Sequence, residues 1–365
     1  MTLKNYWWLL IWMFLFGAIS LAFIPRREEI VLGKPCVRWG KLSAAVLAIP
    51  YVVWAAWRPD GFGDTAAYRS MFLSAPESLS GLGTFLEAQT KDKGYALISV
   101  LFKSLISTSD IWFFFFIAAI QMYCLVRIYR RYSENYWLSM FLFVASAGYL
   151  AWFHNGTRQF LAAVFIFLTL PLLVKRRLIP AALVVLLAAQ IHLSALVFLP
   201  FVFIVNGKAW NIRTFLFMFG VVAAVFFLDE VTGIISDMMV DTAYEGIDIL
   251  GMDDGTSIIR VLFNAVPTIV AFVFRERIKA VDDPVINVCV NLSVVATGFY
   301  VFSFFTSGIL IGRLPIYFSL ANYILLPWLI KDLFDKDSAV LAQGGLIAVY
   351  SFFFYYQVGR TWNLL

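Results

Sequence analysis

Charge is scarce in this chain. Only 14% of its 365 residues are Asp, Glu, Lys or Arg, while 62% are hydrophobic and 18% aromatic. Soluble domains carry about 25% charged residues, so with a mean hydropathy of +0.83 an ordinary soluble fold is excluded. Cysteine is nearly absent. Cys36, Cys124 and Cys289 are scattered without disulfide or metal-ligand spacing, which excludes a disulfide scaffold and a thiolate zinc site. Histidine occurs only as His154 and His192. The chain also lacks internal repeats, low-complexity tracts, Pro-rich linkers and a Gly-rich nucleotide loop. What fills it instead is a succession of apolar runs. At about 20 residues per span, the length accommodates about a dozen helices and no sizeable soluble domain. The expectation is an all-α polytopic integral membrane protein whose residues 1–365 form a single transmembrane domain. The net charge of +5 fits a cytoplasmic excess of Lys and Arg and does not call for nucleic acid.

Loop charges set an expected topology. Residues 6–24 read as a retained first helix, not a cleaved signal. Arg26, Arg27, Lys34, Arg38 and Lys41 follow and place that loop in the cytoplasm. Residues 58–93 form a long external loop, and Arg127, Arg130 and Arg131 mark the next cytoplasmic end. Two apolar runs lie between, so by parity only one crosses. The shorter, 94–107, contains Lys103 and is expected to be re-entrant or interfacial. His192 falls at the tip of a hairpin of two short arms, 178–191 and 193–205. From Asp229 to Ile259 there is no Lys or Arg, so 229–257 reads as a second external loop. There, Asp237, Asp241, Glu245 and Asp248 form one acidic helical face, more simply a solvated face than a metal site. The pattern totals about twelve crossings plus the re-entrant or interfacial helix, with both termini outside.

Residues 151–163, AWFHNGTRQFLAA, break the apolar pattern most sharply, offering His154, Asn155, Thr157, Arg158 and Gln159. An arginine at membrane depth costs roughly 2.5–3.5 kcal/mol on insertion scales, which marks a function with an anionic partner. The topology collects Asp64, Tyr68, Arg69, His154, Arg158, Gln159, His192, Ser194 and Arg313 on the outer side. Guanidinium groups match phosphate oxygens in bidentate geometry, so Arg158 and Arg313 suit a phosphate or pyrophosphate, and a lipid-linked pyrophosphate is the natural substrate at a membrane. Attack on an anomeric carbon, with pyrophosphate leaving, then needs a base. His192 and Asp64 are the candidates, His192 ahead because a reference pKa of about 6.5 suits proton transfer near neutrality. Each residue has a plainer role to weigh against this. Asp64 can cap a helix starting at Thr65, His154 can orient Arg158 one turn on, His192 can serve as a hydrogen-bonded turn residue, and Arg313 can snorkel to the interface. Asp335-Lys336-Asp337 reads as a cytoplasmic turn. The chemistry needs no cofactor and no metal.

Several short motifs together resemble a known family. They are Gly63-Asp64-Thr65 with Tyr68, the run from Asn155 to Ala162, Ile191-His192-Leu193-Ser194-Ala195, and Gly312-Arg313 followed by Tyr317. The pairing of Asn-x-x-Arg-Gln with Ile-His-x-Ser-Ala at this separation resembles the EpsG family of bacterial membrane proteins, regarded as Wzy-type polysaccharide polymerases of exopolysaccharide, capsule and O-antigen gene clusters. The resemblance implies a fold like that of GT-C glycosyltransferases in the bacterial inner membrane, with its active site facing the periplasm or cell exterior. It implies polymerisation of undecaprenyl-pyrophosphate-linked repeat units by a metal-independent inverting transfer, with Asp64, Arg158, His192 and Arg313 at motif positions. Expected partners are lipid-linked oligosaccharides, membrane lipids, a chain-length regulator of the Wzz type and a flippase. Alternatives are an O-antigen-ligase-like transferase and a lipid-linked oligosaccharide flippase. The sequence departs from the family pattern at Asp92-Lys93-Gly94-Tyr95, where a lysine stands nearest the aromatic, so the acidic role is open between Asp92 and Glu87.

Overall fold

Hydrocarbon offers no water to pair with backbone N–H and C=O groups, so an apolar run must satisfy them within itself and folds as a helix. The computed structural model of the chain describes residues 6–238 and 255–362 and is mostly helical. Helix α1 (Trp7–Phe23) leads into strands β1 (Arg26–Val31) and β2 (Lys34–Trp39), followed by α2 (Lys41–Ala56). Two short helices, α3 (Thr65–Ser74) and α4 (Leu82–Glu87), precede α5 (Lys93–Leu105) and the long α6 (Asp110–Tyr132). Then come α7 (Tyr136–Ala145), α8 (Gly148–Leu150), a π-turn over Ala151–Asn155, α9 (Thr157–Phe167), α10 (Leu170–Val174) and α11 (Leu178–Ile191). A tight turn, Leu193–Phe198, leads to α12 (Phe201–Ile204), α13 (Ile212–Phe226) and α14 (Leu228–Met238). The chain continues through α15 (Ile258–Val273), α16 (Arg275–Val281), α17 (Pro284–Phe304), α18 (Ile316–Ser319), α19 (Asn322–Leu333) and α20 (Lys336–Phe354).

Among the described residues, four stretches are long and apolar enough to cross a membrane: Asp110–Tyr132, Thr157–Val174, Pro284–Phe304 and Lys336–Thr361. The number rises to seven if three pairs of helices, bent by 53–68°, each count as one span. Other apolar helices, such as Trp7–Phe23 and Leu178–Ile191, are 10–17 residues long. The expected all-α architecture is corrected at one place. Residues 26–39 form an antiparallel hairpin, Arg26 opposite Trp39 through to Val31 opposite Lys34, closed by Leu32 (φ 51°) and Gly33 (φ 82°). Two consecutive positive φ angles match the right-handed twist of the strands. Of the acidic face, Asp237 falls in α14, and Asp241, Glu245 and Asp248 lie outside the described residues.

Two compact units are distinguished: Met1–Thr169 with Ala182–Leu196 and Pro327–Leu365, and Leu170–Ala181 with Val197–Leu326. In the first, α2 and α9 pack along α6, and α1 and α20 along α7. Aromatic side chains supply the polar links between these helices. Tyr51 Oη donates to the Leu9 carbonyl (2.6 Å), Tyr136 Oη to Ala44 (2.8 Å) and Trp137 Nε1 to Met13 (2.8 Å). At one end of α6, Arg130 clamps the hairpin, donating to both carboxylate oxygens of Glu29 (2.7 and 3.1 Å) and to the Trp39 carbonyl (2.9 Å). Arg38 donates to the Arg131 carbonyl there, and Lys331 pairs with Glu134. At the other end, Asp110 takes Arg69 of α3, and the Phe62 ring meets those of Tyr6, His154 and Trp362. In the second unit, α13 and α15 pack against α17. Buried polar groups are paired there too: Thr268 with Ser293 and Thr297 (2.7 Å each), and Asn291 with the Val205 carbonyl.

Gly17 is where α1 meets Trp137, since a Cβ at Gly17 would stand 2.4 Å from the indole nitrogen. Gly17→Leu is expected to lower stability by about 1–3 kcal/mol, the usual cost of overpacking, read as a lower unfolding temperature of the purified protein. An unchanged midpoint would show that this helix contact contributes nothing.

Candidate functional site

The polar break of residues 151–163 is a change of helical phase. After α8 the backbone takes a π-turn, Ala151–Asn155, and restarts at α9. Gly156 joins the two, where a Cβ would lie 2.7 Å from the Trp152 ring. Arg58, at the end of α2 and 4% exposed, pins this joint by donating to the Phe153 carbonyl and to Thr157 Oγ1 (3.3 Å). Its guanidinium lies 4.0 Å from the centre of the Phe114 ring, a cation–π distance. Burial pulls its pKa down to about 10, so it stays charged at neutral pH. Gln121 of α6 donates to the Thr157 carbonyl (2.9 Å). The second residue of α9, Arg158, is thereby aimed at a fixed place.

That place is Asp92. The residue precedes α5 with a left-handed backbone (φ 57°, ψ 34°), and its side chain is 2% exposed. One oxygen, Oδ2, accepts from Arg158 Nη1 at 2.8 Å and faces His192 Nδ1 at 3.2 Å, while Oδ1 accepts from the Leu193 N–H at 3.0 Å. Gly94 makes the arrangement possible. A Cβ there would be 2.7 Å from the Gln190 carbonyl oxygen, so only glycine lets the start of α5 touch the end of α11. Burial alone would push the Asp92 carboxyl up. The His192 hydrogen bond, the His192 and Arg158 charges and the Leu193 N–H outweigh it and hold the group below the ordinary carboxylate value. A carboxylate can only accept, so whenever the His192 ring is neutral its proton sits on Nδ1 and its lone pair on Nε2.

Two tyrosines flank Arg158, with its guanidinium 5.8 Å from the Tyr68 ring and 6.0 Å from the Tyr95 ring. Asp64 stands one turn before Tyr68 on α3. The helix-cap alternative is not realised, because Asp64 occupies the N-cap position without a side-chain cap bond. Instead the Asn155 amide donates to both its oxygens at 3.2 Å. A pocket with about 430 Å³ of empty space, part of it open to solvent, lies beside this cluster. Asp92, Arg158, Lys91, Gln89, Tyr95 and Phe85 are among its walls.

The expected site residues therefore divide. Asp64, Tyr68, Arg158 and His192 gather around Asp92 and Asn155. Arg69 is turned away into ion pairs with Asp60 and Asp110. His154 does not orient Arg158: its buried ring sits edge-on to Phe62 and Tyr149, because the π-turn breaks the helical phase that would have aligned it. Gln159 is buried in α9. Arg313 and the buried Tyr317 belong to the second unit, where Thr256, bonded to Ser303, abuts the backbone of Gly312. Asp92, Tyr95 and Arg58 join the cluster although the sequence motifs did not single them out as site residues. Among the described residues, no three His, Cys, Asp or Glu side chains are grouped to hold a metal ion.

Helices of membrane-spanning length with a hydrogen-bonded Arg–Asp–His cluster beside a pocket define a membrane protein with a site suited to an anionic substrate. The sequence matches the model of the EpsG family over residues 41–361, and the chain belongs to that family. The family is related to the Wzy-type polymerases, which makes the chain a polymerase-type membrane protein of polysaccharide biosynthesis. No curated protein and no solved structure matches it.

The depressed pKa of Asp92 has a definite sign. Its ionised form contributes stability at every pH above the unfolded value of about 3.9, and that contribution is lost only as pH falls through the lower folded value. The difference in unfolding temperature between wild type and Asp92→Asn is thus expected to persist at about pH 5 and above and to close only below about pH 4. A gap that closes near pH 6 would mean that the carboxylate is not the ionised partner.

Proposed function

We propose that the protein polymerises oligosaccharide repeat units linked to undecaprenyl pyrophosphate, working from the outer face of the bacterial inner membrane. The supporting observation is that His192 and Arg158, a base and a phosphate-binding cation, meet on one buried carboxylate in a member of this family. The hydroxyl at the non-reducing end of a new lipid-linked unit attacks the anomeric carbon of the growing chain. The bond from that carbon to the pyrophosphate oxygen breaks as the new glycosidic bond forms, and its electron pair leaves with the lipid pyrophosphate. His192 Nε2 takes the acceptor's proton, and Arg158 stabilises the charge on the leaving group. Such a single displacement inverts the anomeric centre and needs no metal. Asp64 and Tyr68 would contact the glycan, within a GT-C-like fold of about twelve crossings. Partners in this reading are a Wzz-type chain-length regulator and a flippase. Orientation is supported by the charge of the first unit. Its hairpin end carries Arg26, Arg27, Lys34, Arg38, Arg130 and Arg131, the signature of a cytoplasmic face, and the Asp92 cluster belongs with the other end of α6.

Purified protein in nanodiscs, given a synthetic polyprenyl-pyrophosphate repeat unit and no nucleotide sugar, is expected to produce a ladder of products. Arg158→Ala and His192→Gln should each slow it about 10²- to 10⁴-fold while folding is retained. A wild-type ladder in either variant would remove that residue from the mechanism. No ladder from folded wild type supplied with its native repeat unit would overturn the polymerase in favour of a ligase or transporter.

A further inference from the structure

Oxygen Oδ2 of Asp92 serves two masters at once. Arg158 Nη1 lies 2.8 Å from it and His192 Nδ1 3.2 Å, and the two residues bonded to it differ in freedom. Asp92 is held by its own turn, by the Gly94 contact with Gln190 and by the Leu193 N–H. His192 directly follows α11. Arg158 reaches Asp92 through a long flexible side chain, is 22% exposed and lines the pocket, where its buried Nε has no hydrogen-bond partner. Lys91 and Gln89 line the same pocket, with Tyr95 and Phe85 as apolar walls, while the Ser74 and Ser99 hydroxyls there are bonded to the Met71 and Tyr95 carbonyls. The Asp92 carboxylate already accepts three hydrogen bonds. Arg158 is the wall cation whose side chain can turn from that shared oxygen toward an incoming anion.

We propose that this pocket between α3, α4 and α5 seats the pyrophosphate of the substrate, and that the anion takes Arg158 over from Asp92, leaving the carboxylate to His192 alone. The proposal rests on the polymerase reading and adds a positioning role for Asp92, which stands in the pocket wall and acts on the reaction through His192. The charged groups facing the His192 ring are Asp92, preceding α5, and Arg158 on α9. With the pocket empty, the guanidinium shares the oxygen that orients the imidazole. Once a pyrophosphate takes up Arg158, that oxygen is left to hold and polarise the His192 Nδ1–H, with Nε2 turned to the acceptor. The base is thus engaged when a donor is present and held back when it is not.

The chain has only two histidines, so ring-¹⁵N-labelled full-length protein in nanodiscs gives two sets of resonances, assigned with His192→Gln. Titration with inorganic pyrophosphate, against sulfate at matched ionic strength, is expected to move the His192 set saturably and leave the His154 set in place. Arg158→Gln should abolish both binding and movement. Lys91→Gln should weaken pyrophosphate binding a few fold, as for a partly screened charge. In Asp92→Asn, where the carboxylate competing for Arg158 is gone, pyrophosphate should bind at least as tightly as to wild type, by calorimetry, while the His192 resonances stay still. Pyrophosphate that binds wild type without moving His192 overturns the coupling, and movement that survives in Asp92→Asn shows that Asp92 does not carry it. No binding to wild type overturns the pocket assignment. The wild-type titration decides the matter even if a variant fails to fold. Because the product ladder is scored separately, a ladder with no effect on His192 leaves the polymerase standing and removes this proposal alone.

Discussion

Removing a carboxylate from water costs several kcal/mol unless hydrogen bonds and opposite charge replace its hydration, and Asp92 is 2% exposed. The replacement comes from donors 66, 100 and 101 residues along the chain. The starts of α5 and α9 and the end of α11 must therefore converge within hydrogen-bonding distance, or a bare charge is left inside the protein. The close approach at Gly94, the π-turn before α9 and the clamp of Arg58 on the Phe153 carbonyl all serve that convergence. Site and fold constrain each other here: the helices position the donors, and the buried charge penalises any packing that separates them.

Charge is rare in this chain, and its buried cations fall into two groups. Arg38, Arg130, Arg58 and Lys103 have side chains or whole residues no more than 10% exposed, and each donates to backbone carbonyls: Arg131 and Val37; Trp39; Phe153; Leu73 and Ala75. These cations hold elements together, and their carbonyl acceptors cannot leave. Arg158 and His192 are 22% and 18% exposed and share a single side-chain oxygen. A shared acceptor at the wall of a pocket can be redistributed when a ligand arrives, whereas a carbonyl clamp cannot. That contrast separates Arg158 from the clamping cations more clearly than charge or burial alone.

The helices and the polar break at Arg158 were legible because both rest on local pattern: long apolar runs, then a dense polar interval. The pairing of Arg158 with His192 was legible only as two motifs of matched spacing, since nothing local says that two helix ends meet. Asp92 was the hardest to assign. Its sequence neighbours Lys91 and Lys93 suggest a solvated loop, and its burial depends on Gly94 docking against Gln190. Arg58 escaped notice because its partner is a carbonyl, which every residue carries. His154 misled for a physical reason. Four residues before Arg158 is the same face in an α-helix, but a π-turn and Gly156 intervene and carry the ring to Phe62 and Tyr149. The hairpin is hidden because Arg26-Arg27-Glu28-Glu29 run consecutively, without the period-two alternation of a half-buried strand, and fit a charged cytoplasmic loop equally well; the Leu32-Gly33 turn is its only local signal.

The backbone of Asp92 bears on its role independently of its contacts. A left-handed conformation costs a residue with a Cβ roughly 1–2 kcal/mol, and glycine, the residue best suited to it, stands two positions later at Gly94. A glycine at 92 would relieve the backbone but leave Arg158, His192 and the Leu193 N–H without their acceptor. An asparagine would also suit the backbone, because its short polar side chain tolerates this region, yet it carries no charge to balance Arg158. The aspartate is the residue type that meets both demands, accepting the unfavourable φ so that one ionised group can face the end of α11 and the start of α9 together. Strain of this kind persists where surrounding structure over-determines it, and it clusters at functional sites. At Asp92 the over-determination is visible in three hydrogen bonds and a glycine contact converging on one short turn.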